Sequence, residues 1–195
     1  MPRNPADTRA RIMRAAYVQF FRKGFQRTSL DDIAARAGVT KRALYYHIRS
    51  KDELAGAMLT HQHEFVLGQV TGWLGAPTPR NARGARLLTD RLFASLARWA
   101  EAEQAARRHW IGSGFTRMAM ELADLPGHPA RVATRRHKAG IQVELTRRFA
   151  ACGVPRARDR AAQVQMLLEG AMTMILIHGD IDHARLAAAA ARKLI

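Results

Sequence analysis

The sequence predicts an all-α protein of about nine helices. Three observations carry that prediction. Apolar residues recur at helical spacing through nearly the whole chain. Alternating strand-like runs are missing, as are the hairpin dipeptides Asn-Gly and Asp-Gly. Loops announce themselves through Pro and Gly, at Gly24, Gly38, residues 75–84, 125–129 and 152–155.

The first helix is expected over about residues 6–23. Ile12, Ala16 and Phe20 form its buried stripe, and Arg9, Arg11 and Arg14 lie elsewhere on it. Gly24 is placed to end it, because a left-handed residue closes a helix at low cost without a Cβ. Thr28 or Ser29 can cap the second helix, whose positive end Asp31 and Asp32 favour. Ile33, Ala34 and Ala37 face inward, and Gly38 makes the turn. Thr40 is a natural N-cap for the third helix, from Lys41 to about Ile48, anchored by Leu44 and Ile48 four residues apart. Ser50 or Lys51 opens the fourth. Further helices are expected near residues 51–74, 85–101, 104–123, 129–151, 157–179 and 182–194. Two short helices joined by a tight Gly-containing turn, braced by a longer helix in front, make a helix-turn-helix. The second helix of that motif lies in the DNA major groove.

Composition narrows the partners. The chain has 195 residues, enough for one or two domains with a proper core. Lys and Arg number 32 against 16 Asp and Glu, a formal net charge of +16. Such a field attracts nucleic acid, anionic membrane or acidic proteins. The alternative is that genomic base composition inflates the Arg and Ala content, which leaves the placement of the charges unexplained. Cys152 is the sole cysteine, so no disulfide forms within one chain, which fits a reducing cytoplasm. It is expected to be inert. The N-terminus has no apolar run of the signal-peptide kind, and the longest apolar run, residues 171–177, is far short of a spanning helix.

The stretch RIMRAAYVQFFRKGFQRTSLDDIAARAGVTKRALYYHIRSKDEL, residues 11–54, resembles the DNA-binding region of the TetR family of bacterial transcriptional regulators. The parts stand in order: Ile-x-x-Ala-Ala, Phe20, Gly24-Phe25, Thr28, Asp-Ile-Ala, Ala-Gly-Val, Leu-Tyr-Tyr-His and Lys-x-x-Leu. Ile48 stands where a Phe is usual, and Arg42 where a small residue is common. The resemblance implies a helix-turn-helix DNA-binding domain over residues 1–50 and a C-terminal effector-binding and dimerisation domain over residues 51–195. It implies a cytoplasmic homodimer on double-stranded DNA with a palindromic operator, most simply a repressor released by a small-molecule effector. The fourth helix would join head to body.

Lys41, Arg42, Ala43 and Tyr45 occupy the end of the third helix that meets base edges in such complexes. Lys or Arg can bond guanine, and Ala43 or the Tyr45 ring can touch a thymine methyl. Thr28, Thr40, Tyr45, Tyr46, His47 and Lys51 are candidates for phosphate contacts, through hydroxyls, a ring N–H, an ammonium and helix N-termini. Tyr46 could instead pack on the first helix. In the C-terminal part, AAQVQMLLEGAMTMILI is apolar on nearly all sides and HARLAAAAARKLI presents Ala for close approach; together they resemble the family's dimer interface. Trp99, Trp110, Phe115, Met118, Met166, Met172 and Met174 are candidate effector-binding residues, since thioethers and aromatics suit adaptable apolar sites. Each could equally be core. Arg107, Arg108 and Arg117 could meet an anionic ligand or be solvated.

No cofactor or metal is expected. The neighbouring rings of His61 and His63 diverge on a helix. The stretch His178-Gly-Asp-Ile-Asp-His183 is explained more simply by Asp182 as an N-cap. No nucleophile elbow, phosphate loop or HExxH signature is present, so no enzyme is expected. The competing reading is an all-helical enzyme or lipid-binding module whose basic face meets anionic membrane.

Overall fold

The computed structural model describes residues 5–76, 79–106 and 110–195. Among the described residues it is all helix: α1 (Pro5–Lys23), α2 (Leu30–Ala37), α3 (Lys41–His47), α4 (Lys51–Leu74), α5 (Ala82–Ala105), α6 (Gly114–Glu121), α7 (Pro129–Ala151), α8 (Ala157–His178) and α9 (Asp182–Arg192). No helix is long and apolar enough to cross a membrane among these residues.

The chain divides into two compact units. One comprises the residues up to Glu64 together with Gly114–Arg136, and the other Phe65–Ser113 with His137–Ile195. In the first, α1 packs on α2 and α2 on α3. The stripe Ile12, Ala16 and Phe20 is buried, as are Ile33, Ala34, Ala37, Leu44 and Ile48. Those residues are apolar at helical spacing, which is why the periodicity predicted them. In the second unit, α5, α8 and α9 pack on one another. Its core includes Leu92, Leu96, Leu145, Phe149, Leu168 and Ile175. The small side chains Ala184, Ala188 and Ala191 are the buried ones of α9.

The local signals that start and stop the helices are visible one by one. Ser29, not Thr28, caps α2: its Oγ accepts from the Asp32 amide at 3.0 Å while the Asp32 carboxylate accepts from the Ser29 amide at 3.2 Å. Gly38 sits at φ 61° and ψ 41° and closes α2. Thr40 caps α3, accepting from the Ala43 amide at 3.1 Å.

Two expectations are corrected. The helix expected over residues 104–123 is not one helix. α5 runs on to Ala105, Gly112 has φ 62°, and α6 begins only at Gly114. The Trp110 indole N–H donates to the Met172 carbonyl at 3.1 Å, which holds this segment against α8 in place of its own helical bonds. Asp182 is not the cap of α9. The Asp182 amide donates to Asp180 Oδ1 at 2.9 Å, and the Asp182 carboxylate pairs with Arg185 at 2.6 Å. That pair holds the Asp182 carboxyl below its ordinary range.

Candidate nucleic-acid interface

α3 is seven residues long, too short to persist alone, and depends on packing. Leu44 is fully buried on one side and Ile48 follows at its C-terminal end, almost fully buried. The opposite side is therefore turned out. Lys41 and Arg42 are exposed, Tyr45 is 47% exposed and Tyr46 82% exposed. An 82% exposed tyrosine leaves no packing of Tyr46 on α1 of the kind that would hide its ring. His47 meets the Tyr46 ring edge-on at 5.2 Å between centroids. Lys41 Nζ donates to Asp31 Oδ2 at 3.0 Å, and that carboxylate raises the Lys41 pKa, so the ammonium stays charged. An open groove of about 620 Å³ runs between the start of α1 and α3, lined by Pro5, Thr8, Thr40, Arg42, Ala43, Tyr46 and His47. Five of these seven are sequence-predicted DNA-binding residues; Pro5 and Thr8 are additions that no sequence signal had marked.

The turn of the motif is held from α1. Arg11 Nη2 donates to the carbonyls of Ala37 and Gly38, the latter at 2.8 Å. A Cβ on Gly38 would lie 2.7 Å from that same nitrogen. Glycine is favoured here by its positive φ, and a Cβ would also require the Arg11 guanidinium to shift.

Thr28 and Lys51 are placed differently from the other candidates. Thr28 is 1% exposed and its hydroxyl donates to the Gly24 carbonyl at 2.7 Å. Lys51 Nζ donates to the carbonyls of Phe25 and Thr28, each at 3.2 Å, and lies 4.4 Å from the centre of the Phe25 ring. Both side chains brace the segment between α1 and α2 from within.

The same segment is held by α6. The Glu121 carboxylate accepts from the amides of Phe25, at 2.8 Å, and Gln26, at 2.7 Å. Arg117 Nη1 donates to the Phe21 carbonyl at 2.9 Å. A Cβ built on Gly114 would overlap the Phe21 ring. His128, between α6 and α7, accepts the Ala130 amide on Nδ1 at 3.1 Å and sets its Nε2 3.4 Å from Asp52 at the start of α4.

The effector candidates are only partly together. Trp99 and Trp110 stand 4.5 Å apart, with Trp73 a further 5.7 Å from Trp99, and Met172 is buried in the same unit. Met166 and Met174 are exposed, at 65% and 38%. Phe115 and Met118 are buried in the other unit, the one that contains the helix-turn-helix. Arg107 and Arg108 lie outside the described residues. A half-buried polar pair that sequence reasoning missed sits in the second unit, where Lys138 pairs with Glu169 and donates to Ser113 Oγ at 3.0 Å. Burial lowers the Lys138 pKa against the opposing pull of Glu169. Among the described residues no cluster of His, Cys, Asp or Glu could hold a metal ion, and His178 and His183 are stacked on each other at 5.3 Å.

Fold and exposed face define an all-α helix-turn-helix protein. Residues 12–58 match the family model of bacterial regulatory proteins, tetR family. TtgR, an HTH-type transcriptional regulator of Pseudomonas putida, is 48% identical over 58 residues, 30% of this chain and 28% of TtgR. The match thus spans well under two thirds of that relative. KstR2, an HTH-type transcriptional repressor of Mycolicibacterium smegmatis, is 29% identical over 64% of this chain and 56% of its own length. In fold, SCO4454, a TetR-family transcriptional regulator from Streptomyces coelicolor, superposes with a TM-score of 0.80 at 23% identity, covering 97% of this chain and 94% of its own. Reduced NemR from Escherichia coli superposes at 0.75 with 19% identity, over 96% and 97%. Residues 12–58 thus match the TetR family in sequence, and the chain as a whole shares the fold of the TetR-family regulators it superposes on.

Proposed function

We propose that the protein is a cytoplasmic, homodimeric transcriptional repressor that binds a palindromic operator and is released by a small-molecule effector. The observation that carries this reading is the outward face of α3: Lys41, Arg42, Tyr45 and Tyr46 turned to solvent, with His47 half-buried beside them, over a buried Leu44. A basic, aromatic helix face of this kind suits the major groove, where Arg and Lys read guanine edges. Thr40, Tyr46 and His47, along the groove beside α1, are assigned to the sugar-phosphate backbone, where they set register. Thr28 and Lys51 serve the same interface indirectly, by shaping the segment that leads into α2.

Homodimerisation rests on the second unit. α8 carries exposed Met166, Met174, Leu176 and Ile177, and α9 exposed Leu186. Such apolar side chains are costly to leave in water, and a second copy covers them. Two heads related by a two-fold axis then read half-sites about one helical turn apart or somewhat more. The tryptophan trio with Met172 offers the adaptable apolar surface an effector would use. Release follows when the effector binds better to a state whose heads are wrongly spaced.

Selection of duplexes from a random pool tests the reading. The expected product is a palindromic consensus, bound with a steep salt dependence and competed poorly by unrelated duplex. Arg42→Gly should change the preferred base at one position of each half-site; an unchanged consensus removes Arg42 from the reading set. Failure of the wild type to enrich any duplex overturns the proposal.

A further inference from the structure

The segment between α1 and α2 has no secondary structure of its own, yet its backbone is satisfied on both sides by charged side chains from distant elements. Gly24 closes α1, its amide donating to the Phe20 carbonyl at 2.9 Å. The next two amides, Phe25 and Gln26, take one Glu121 oxygen each. The backbone approaches the carboxylate this closely because residue 24 is glycine at φ 89°; a Cβ there would stand 3.0 and 3.1 Å from the two oxygens. From the other side, Lys51 takes the carbonyls of Phe25 and Thr28. Two amides of this short segment thereby meet an anion, and two of its carbonyls a cation.

Glu121 does not act alone. Gly114, Arg117 and Glu121 stand at positions i, i+3 and i+7, one face of α6. That face meets the end of α1 three times: Gly114 against the Phe21 ring, Arg117 on the Phe21 carbonyl, Glu121 on the two amides. Phe21 is in the last turn of α1, where carbonyls lack helical partners, so Arg117 supplies one. Four residues after Gln26, α2 begins. The direction in which the chain leaves α1 sets where α2 starts, and α2 packs on α3.

We infer that Glu121 is a positioning residue for the DNA-reading helix. It touches no DNA; it fixes the exit of the chain from α1 and, through α2, the pose of α3. The inference rests on the DNA-binding reading above and extends it to a residue 74 positions beyond the end of the recognition helix at His47. A carboxylate is required, because each of its oxygens must accept. Glu121→Gln keeps the shape but presents an NH2 to one of the two amides.

The test compares full-length wild type with Glu121→Gln. Hydrogen exchange at the Phe25 and Gln26 amides is read first and needs no DNA. It should quicken about tenfold or more in the variant, while the Leu44 amide in α3 is unchanged. Affinity for the selected operator should fall about tenfold with the slope of log K against log salt unchanged, since no phosphate contact is lost. Glu144→Gln, a carboxylate of the other unit, should move none of these. Should Glu121→Gln not fold, Glu121→Asp, which shortens the reach by one methylene, takes its place with the same expectations. Equal exchange in wild type and variant overturns the inference, and so does faster exchange with operator affinity unaltered. A wild type that enriches no duplex overturns the DNA-binding reading itself, which the exchange comparison then distinguishes from a failure of the Glu121 contact.

Discussion

Asp32 does two things at once: its carboxylate accepts from the Ser29 amide, and its own amide donates to Ser29 Oγ. The Ser29 backbone and side-chain hydrogen bonds, with a smaller pull from Lys23 at 3.7 Å, hold its carboxyl below the ordinary range. A carboxyl depressed in the fold stabilises the fold above its unfolded pKa, and that stabilisation is lost as pH falls through the lower, folded value. Asp32→Ala should therefore lower the melting temperature at neutral pH, and the gap to wild type should close in strong acid. A gap independent of pH would rule out the ionised carboxylate as its cause, and it could not come from helix propensity, which alanine improves. Thr28 and Lys51 show where residue-level reading of the sequence falls short. Hydroxyl and ammonium side chains at such positions are chemically fit for phosphate, and only the fold reveals that each is occupied by backbone carbonyls.

Glycines separate the elements that must approach closely from those that need not. Gly114 opens α6 against the Phe21 ring, with no room for a methyl group. Gly114→Ala should cost about 1–3 kcal/mol through overpacking of that seam. Gly68, in the middle of α4, has nothing within 4 Å of where a Cβ would stand. There the same substitution should stabilise the protein by about 0.5–1 kcal/mol, because alanine is the better helix former. Urea denaturation of the two variants checks the opposite signs. Amphipathic spacing, a capping serine and a glycine stop coincide in α2, and α3 has the spacing and a capping threonine but ends at Ile48 in extended backbone. Such signals made both helices legible in the sequence. The break before α6 was not. Gly112 stands in the local sequence as a mark of the break, but the Trp110 bond that holds the segment runs to a carbonyl 62 residues further along, which no local window contains.

For the molecule as a whole, the proposed pairing makes the most exposed prediction. Ile177 and Met166 are each 65% exposed on α8. Ile177→Glu together with Met166→Glu should convert a dimer into a monomer in sedimentation equilibrium, because two charges would have to enter an apolar contact. Operator affinity should fall with it, since one head reads only half the site. A double variant that stays dimeric would move the interface elsewhere. The exposed face of α3 was legible because a short ordered motif encodes it over consecutive residues. The effector candidates were not legible as a set, since Met and Trp at helical spacing mark core and pocket alike; the fold splits them between two units. The α6 contacts to Phe25 and Gln26 have a practical corollary for anyone exchanging recognition modules between regulators. A graft cut at residue 50 would sever the acceptor of both amides, so a transplantable module has to carry residues 114–121 with it, or find a carboxylate in the recipient that can stand in for Glu121.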